Sequence, residues 1–97
     1  MKERDYIISL YEIYCNLLTL NQRKYFEDYY FEDLSLSEIG ENNKVSRSYV
    51  SKTVNTVAEK LKFFESNLKI YDTREKIRNI SKKVKEKEVK QELENLF

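Results

Sequence analysis

The sequence predicts an all-α protein, and three observations support this prediction. The chain has 97 residues with one Gly and no Pro, so it lacks the residues that hairpin turns and linkers use most. Residues that favour helices, chiefly Glu, Lys, Leu and Ile, are abundant. Apolar residues also recur at helical spacing along most of the chain. We therefore expect one domain over residues 1–97, with about five helices.

The first helix is expected over about residues 5–18, where apolar residues cover much of the helix circumference. Such a helix must be covered on more than one side, either by the rest of the domain or by a second copy. Cys15, the only cysteine, lies in this helix and is expected to be buried and unreactive. A single cysteine excludes an intramolecular disulfide.

A capping box predicts the second helix. Thr19 and Gln22 have the three-residue spacing at which each side chain satisfies an N–H group near the other, and the helix should end near Glu32. An aromatic stripe at helical spacing is typical of a hydrophobic core. The alternative is that these side chains stack on the bases of a single-stranded nucleic acid. This stripe comprises Tyr25, Phe26, Tyr29 and Tyr30.

Two helix starts in close succession predict a helix-turn-helix over residues 35–61. Ser35 lies three residues before Glu38, which forms a second capping box, and Ser46 can cap a further helix. The first helix of the motif is expected over about residues 36–42. The next begins after Ser46.

The apolar pattern that starts at Val50 continues to Tyr71 in alternating steps of four and three residues, as in a heptad repeat. Its second half extends beyond the motif, so it needs a partner, which is either the last helix or a neighbouring protomer. That last helix is expected from Asp72 and Glu75 to about Leu96, within a C-terminal extension over residues 62–97. The expected dimer or partner interface comprises Leu61, Phe64, Leu68, Tyr71, Ile77, Ile80 and Val84.

The net charge of +1 conceals an uneven distribution. Residues 1–43 carry four Lys/Arg and nine Asp/Glu, whereas residues 44–62 carry five Lys/Arg and a single Glu. Residues 63–97 carry nine Lys/Arg and seven Asp/Glu. Positive charge therefore collects where the second motif helix would meet a phosphate backbone.

Polar residues on the outer face of that helix are the candidate nucleic-acid contacts. Successive side chains turn by ~100°, so residues that alternate with the apolar positions point away from the core. Arg, Asn and Ser can donate hydrogen bonds to phosphates and base edges. The alternative is an ordinary solvated polar face. The candidates are Arg47, Ser48, Ser51, Lys52 and Asn55.

Catalysis is not expected. The chain has no His, one Cys and no Gly-rich phosphate loop, so no nucleophile with its base, metal centre or nucleotide cradle can be assembled. We expect no cofactor and no enzyme activity. The N-terminus is charged and no apolar run approaches the length of a membrane span, which predicts a cytoplasmic protein with no membrane insertion.

Residues 17–50 carry a pattern made up of Leu18, Thr19, Gln22, Arg23, Tyr25, Tyr29, Tyr30, Asp33, Ser35, Leu36, Glu38, Ile39, Glu41, Val45, Ser46 and Arg47. This pattern resembles the YlxM family of small bacterial helix-turn-helix proteins, and a looser similarity extends from Tyr6 to Tyr71. The resemblance implies a regulator or accessory of the signal recognition particle pathway. The same stretch is similar to region four of sigma factors, whose second motif helix reads DNA in the major groove.

The chain departs from this pattern at the turn. Gly40 replaces the usual Ala, which predicts a helix weaker by roughly 1 kcal/mol. Asn43 and Lys44 replace an apolar residue and the usual Gly or Asn, so we expect a looser turn with an unfavourable backbone at Lys44 or Asn43.

The leading hypothesis is a non-enzymatic, dimeric protein that binds DNA or RNA through the second motif helix. The rival hypothesis is a protein-interaction module in which the motif is only a scaffold. Its long helices would then bind a partner such as the GTPase of the signal recognition particle.

Overall fold

The computed structural model describes residues 2–96, which form six α-helices, one short 3-10 helix and no strand. The all-α prediction is confirmed, with one α-helix more than expected. Helix α4 is the central element and packs against α1, α2 and α3. The helices are α1 (Glu3–Tyr14), the 3-10 helix (Cys15–Leu17), α2 (Leu20–Tyr30), α3 (Leu36–Asn43), α4 (Arg47–Leu68), α5 (Ile70–Lys83) and α6 (Lys87–Glu94).

Two apolar clusters hold the helices together. One joins α1, α2 and α4 and includes Leu10, Phe26 and Leu61, all of which are completely buried. The other joins α2, α3 and α4 around Ile39 and Val50 and lies directly beneath the helix-turn-helix. The wide apolar stripe of α1 is therefore covered within the chain, which agrees with the first of the two alternatives. Cys15 is only partly buried, because it lies in the 3-10 helix after α1 ends.

The aromatic stripe of α2 belongs to the core. Phe26 stacks on Tyr11 and on Tyr30, with both ring-centroid distances 4.3 Å. The Tyr11 hydroxyl also donates a hydrogen bond to Glu27. Burial, together with this carboxylate, raises the pKa of Tyr11 to about 12.

Helix α1 covers part of the second half of the heptad pattern, which the sequence did not predict: the ring centroids of Phe64 and Tyr14 lie 5.9 Å apart, and those of Tyr71 and Tyr6 lie 5.2 Å apart. Leu68, in the same stretch, is 54% exposed. The helix also does not run on to Tyr71. It ends at Leu68, and Lys69 adopts a left-handed conformation (φ 55°) between α4 and α5.

Long-range hydrogen bonds define the start of α5, which corrects the start predicted at Asp72 and Glu75. The Glu65 carboxylate, 7% exposed, accepts hydrogen bonds from the backbone N–H groups of Tyr71 and Asp72, both at 3.0 Å. The Tyr14 hydroxyl accepts one from the N–H of Ile70 at 3.2 Å. The first turn of α5 is thus capped from α4 and α1 rather than by its own sequence.

The predicted last helix is two helices, because the chain reverses between Val84 and Glu86. Thirteen residues of continuous helix would span about 20 Å, yet Ser81 Oγ and Glu94 Oε1 are 3.5 Å apart. Helix α6 therefore folds back along α5. The change in the apolar register between Val84 and Val89 is the sequence signal for this reversal. We call the α5–α6 hairpin, residues 70–94, the arm.

Within residues 2–96, no helix is both long enough and apolar enough to cross a bilayer. The same range contains no cluster of three or more His, Cys, Asp or Glu side chains suited to a metal ion.

Candidate nucleic-acid interface

The first helix of the motif begins as the sequence predicts. The Ser35 side chain accepts a hydrogen bond from the N–H of Glu38 at 3.0 Å, and the Glu38 carboxylate accepts one from the N–H of Ser35 at 3.1 Å. The equivalent box of Thr19 and Gln22 opens α2. Both reciprocal pairs satisfy backbone donors that a helix start leaves without intrahelical partners.

The turn is closed rather than loose, which corrects the expectation. Lys44 takes the left-handed conformation (φ 57°), while the N–H of Val45 donates to the Gly40 carbonyl at 2.9 Å and the N–H of Lys44 donates to the Glu41 carbonyl at 3.3 Å. These two bonds form a Schellman motif. Lys44 adopts the predicted unfavourable backbone, but the turn keeps its hydrogen bonds.

The structure explains why glycine occupies position 40, which the sequence did not reveal. A Cβ at this position would lie 2.8 Å from the Val45 carbonyl oxygen and 3.4 Å from the Arg47 nitrogen. The missing side chain lets the turn pack directly against the last turns of α3. Glycine lowers the helix propensity at position 40, but the close approach of the backbone there requires a residue without a Cβ.

Asn43 provides a polar contact in place of an apolar one. Its side-chain amide donates to the Ile39 carbonyl at 2.7 Å, and its side-chain oxygen accepts from Lys24 at 2.7 Å. The C-terminal end of α3 is thereby linked to α2. This contact supplies part of what the expected apolar residue would have contributed to the turn.

Helix α4 starts where predicted, because the Ser46 side chain accepts a hydrogen bond from the N–H of Tyr49 at 3.0 Å. Val50, Val54, Val57 and Leu61 face the core. Ser48, Lys52 and Asn55 occupy the opposite side of the helix and are exposed.

The other two candidates lie nearer the edges of this face. Arg47, the first residue of α4, is exposed, whereas Ser51 is half-buried. None of the five candidate side chains forms a hydrogen bond or an ion pair within residues 2–96. The structure therefore brings all five onto the first three turns of one helix, with their polar groups unengaged.

A groove that was not predicted from the sequence borders this face. Its volume is about 300 Å³, and it separates the start of α2 from the flank of α4. Tyr49, with 46% of its surface exposed, forms one wall, and its ring meets Tyr25 edge-on at a centroid distance of 6.1 Å. The groove is lined by Thr19, Asn21, Gln22, Tyr49, Lys52, Thr53 and Thr56.

The spacing of the α4 residues contains a signal for this groove. Tyr49, Thr53 and Thr56 are separated by four and three residues, so they share one helix face. That α2 forms the opposite wall could not be derived from spacing, because it depends on how α2 packs on α4.

The predicted dimer or partner residues fall into two groups. Leu61 is completely buried inside the chain and is not accessible to a partner, which corrects its assignment. Phe64 and Tyr71 are half-buried against α1. Leu68 and Ile80 are more than half exposed, while Ile77 and Val84 are half-buried on the arm.

Two capped helices joined by a closed turn, the second helix presenting unengaged polar side chains, define a helix-turn-helix protein. Comparison with known sequences identifies the family within this class. The profile of the family UPF0122, described as "Putative helix-turn-helix protein, YlxM / p13 like", matches residues 1–96, and the chain belongs to this family. The resemblance to the YlxM family is confirmed.

Relatives in several bacteria share most of the chain. The UPF0122 protein of Ureaplasma urealyticum is 38% identical over 94 residues, which cover 97% of this chain and 95% of the relative. The UPF0122 protein of Fusobacterium nucleatum is 39% identical over 91 residues, covering 94% and 88%. No solved structure matches the chain significantly.

Proposed function

We propose that this protein is a non-enzymatic nucleic-acid-binding regulator that contacts DNA or RNA through α4. The observation that carries the proposal is the set of five unengaged polar side chains on one helix face, four of them exposed. Arg47 and Lys52 anchor phosphates or bases, and Ser48, Ser51 and Asn55 contact base edges. Ser46 holds the start of the helix and so orients Arg47.

Electrostatics support the same assignment. Glu59 is the single acidic residue over positions 44–62 and forms no ion pair within the described residues. Arg47 and Lys52 likewise form no ion pair with any described residue. Their charges are therefore available to a polyanion, and the favourable free energy would come largely from counterion release.

The proposed setting is the cytoplasm and the signal recognition particle pathway, as a regulator or accessory. This part rests on membership of the YlxM-like family and on the role that the resemblance implies. It makes the RNA of the particle a relevant probe beside duplex DNA.

Charge reversal tests the proposal. We expect the double variant Arg47→Glu/Lys52→Glu to lose binding to labelled duplex DNA and to the particle's RNA in fluorescence anisotropy. Its circular-dichroism melt should stay close to that of the original protein, because both side chains are exposed and unpaired.

A matched control is Lys2→Glu/Lys60→Glu, which reverses two exposed lysines that form no ion pair in the described chain. This control should retain binding. Equal losses in the two double variants would show that only overall charge matters and would contradict a specific role for Arg47 and Lys52. Retained binding in Arg47→Glu/Lys52→Glu would contradict the proposal directly.

A second candidate function is a protein-interaction module, and exposed apolar side chains favour it. Phe63 is 65% exposed, Leu68 54% and Ile80 53%, although large apolar side chains are normally buried. These positions could contact the GTPase of the signal recognition particle or a second copy in a homodimer.

Substitution of Leu68→Glu and Ile80→Glu tests this second candidate. It should abolish capture of the GTPase, or convert a dimer to a monomer by light scattering, while leaving nucleic-acid binding intact. Unchanged capture and unchanged mass would reject it.

A further inference from the structure

The arm carries the densest positive charge of the chain. Residues 74–90 contain eight Lys/Arg and three Glu, a larger excess than that of residues 44–62. Charge along the sequence alone does not distinguish such a run from a solvated helix face. The hairpin supplies the missing information, because it brings cations from both helices together.

Most of these cations are unpaired. The ion pairs of the arm join Lys76 to Asp72 and Arg78 to Glu75. Five exposed lysines form no ion pair with any described residue, although Glu86 and Glu88 are close in sequence. These lysines are Lys82, Lys83, Lys85, Lys87 and Lys90.

Three of the arm cations converge on one cleft between α5 and α6. Arg78 and Lys82 from α5 and Lys90 from α6 line a cleft of about 390 Å³. Ser81 and Glu94, which share a hydrogen bond of 3.5 Å, complete the lining. Arg78 is paired with Glu75, so Lys82 and Lys90 are the lining cations without an ion pair to a described residue, and Glu94 is the carboxylate that lines the cleft with them.

The α5 cations also form a regular stripe. Arg74, Arg78 and Lys82 are spaced four residues apart, so they lie on one helix face about 6 Å from each other along the axis. Like charges at this spacing repel, and Glu75 offsets part of this repulsion through its ion pair with Arg78. An anion bound across the stripe would reduce the repulsion that remains.

We infer that the arm is a second phosphate-binding surface, on which the backbone of the nucleic acid bound by α4 lies along Arg74, Arg78 and Lys82 with Lys90 opposite. This inference rests on the proposed function. A phosphodiester backbone suits the surface because it presents regularly spaced single negative charges. The arm contacts phosphates alone, so it contributes affinity and orientation while α4 contributes sequence preference.

The experiment compares the salt dependence of binding for Lys82→Gln/Lys90→Gln with that of the control Lys2→Gln/Lys60→Gln. Each phosphate contact contributes about 0.9 to the slope of log K against log salt on duplex DNA. We expect the arm variant to lower the absolute slope by about two and to weaken binding by about tenfold at moderate salt. The control should leave both unchanged.

Lys82→Arg/Lys90→Arg keeps both charges and should restore the slope, which separates charge from any loss of packing in the hairpin. An unchanged slope in the Gln variant, with binding abolished in Arg47→Glu/Lys52→Glu, would overturn the inference and leave the proposed function standing. A lowered slope in the Gln variant, together with full binding in Arg47→Glu/Lys52→Glu, would instead reject α4 as the helix that binds nucleic acid.

Vesicles of phosphatidylglycerol provide the remaining comparison, because a lipid headgroup also offers phosphates. We expect little binding to them. Vesicle binding that depends on Lys82 and Lys90, in the absence of nucleic-acid binding, would overturn the inference in favour of a membrane surface.

Discussion

The Tyr14 hydroxyl donates a hydrogen bond of 2.6 Å to the buried carboxylate of Glu65, 51 residues further along the chain. The same carboxylate accepts two backbone N–H groups from the first turn of α5. This pair therefore joins α1, α4 and the arm at one point. It sets where α4 ends and in which direction the arm departs.

Removal of the Glu65 carboxylate should destabilise the fold. In Glu65→Ala, the hydroxyl of Tyr14 and the two N–H groups lose their acceptor, so we expect the free energy of unfolding to fall by about 2 to 3 kcal/mol. Urea unfolding followed by circular dichroism measures the change. Glu59→Ala, an exposed carboxylate on the same helix, should stay within about 0.5 kcal/mol of the original protein; equal effects would mean that the network contributes nothing.

Gly40→Ala should not bring the stabilisation expected from helix propensity. The added Cβ would lie 2.8 Å from the Val45 carbonyl oxygen, and moving that backbone outweighs the gain of about 1 kcal/mol. We expect a net loss of about 1 kcal/mol in urea unfolding. Asn42→Ala, at an exposed position of the same helix, gains propensity without a clash and should be stabilising. Stabilisation of both variants would show that the backbone of the turn moves away from the added Cβ at little cost in free energy.

Lys44→Gly should stabilise the protein by about 1 kcal/mol, because glycine adopts the left-handed conformation at position 44 without the steric cost of a Cβ. Lys69→Gly should act in the same direction, since Lys69 also has a positive φ of 55°. Thermal and urea unfolding provide the measurement. Lys60→Gly, inside α4, should instead cost about 1 kcal/mol; destabilisation at all three positions would contradict the turn geometry.

Alkaline pH should destabilise the protein partly through Tyr11. Burial and the Glu27 carboxylate raise the pKa of Tyr11 in the folded state to about 12, from the ordinary value of 10.0. Between these pH values the unfolded chain loses this proton and the folded chain keeps it, so the contribution to stability is complete below pH 10 and is lost towards pH 12.

Tyr11→Phe removes this titration. Urea midpoints measured from about pH 9 to about pH 12 should therefore decline less steeply for Tyr11→Phe than for the original protein. Tyr6, Tyr14, Tyr30 and Tyr71, whose pKa values are also raised, remain in the variant, so some decline should persist. Parallel declines in the two proteins would contradict the role of Tyr11.

Local features were readable from the sequence because they depend on fixed spacing along the chain. The caps at Thr19, Ser35 and Ser46 each join a side chain to a backbone group three residues away. The inward positions of α4 likewise follow from helical periodicity. These features determine the all-α class and the helix-turn-helix, and they place Lys52 and Asn55 on the outer face.

Only the tertiary structure decided which surfaces meet. The cap of α5 comes from Glu65 and Tyr14, the close approach at Gly40 comes from the turn itself, and the arm cleft exists because the chain reverses after Lys83. Periodicity predicts which face of a helix is apolar, but not which helix covers it, because that depends on the free energy of packing distant segments together.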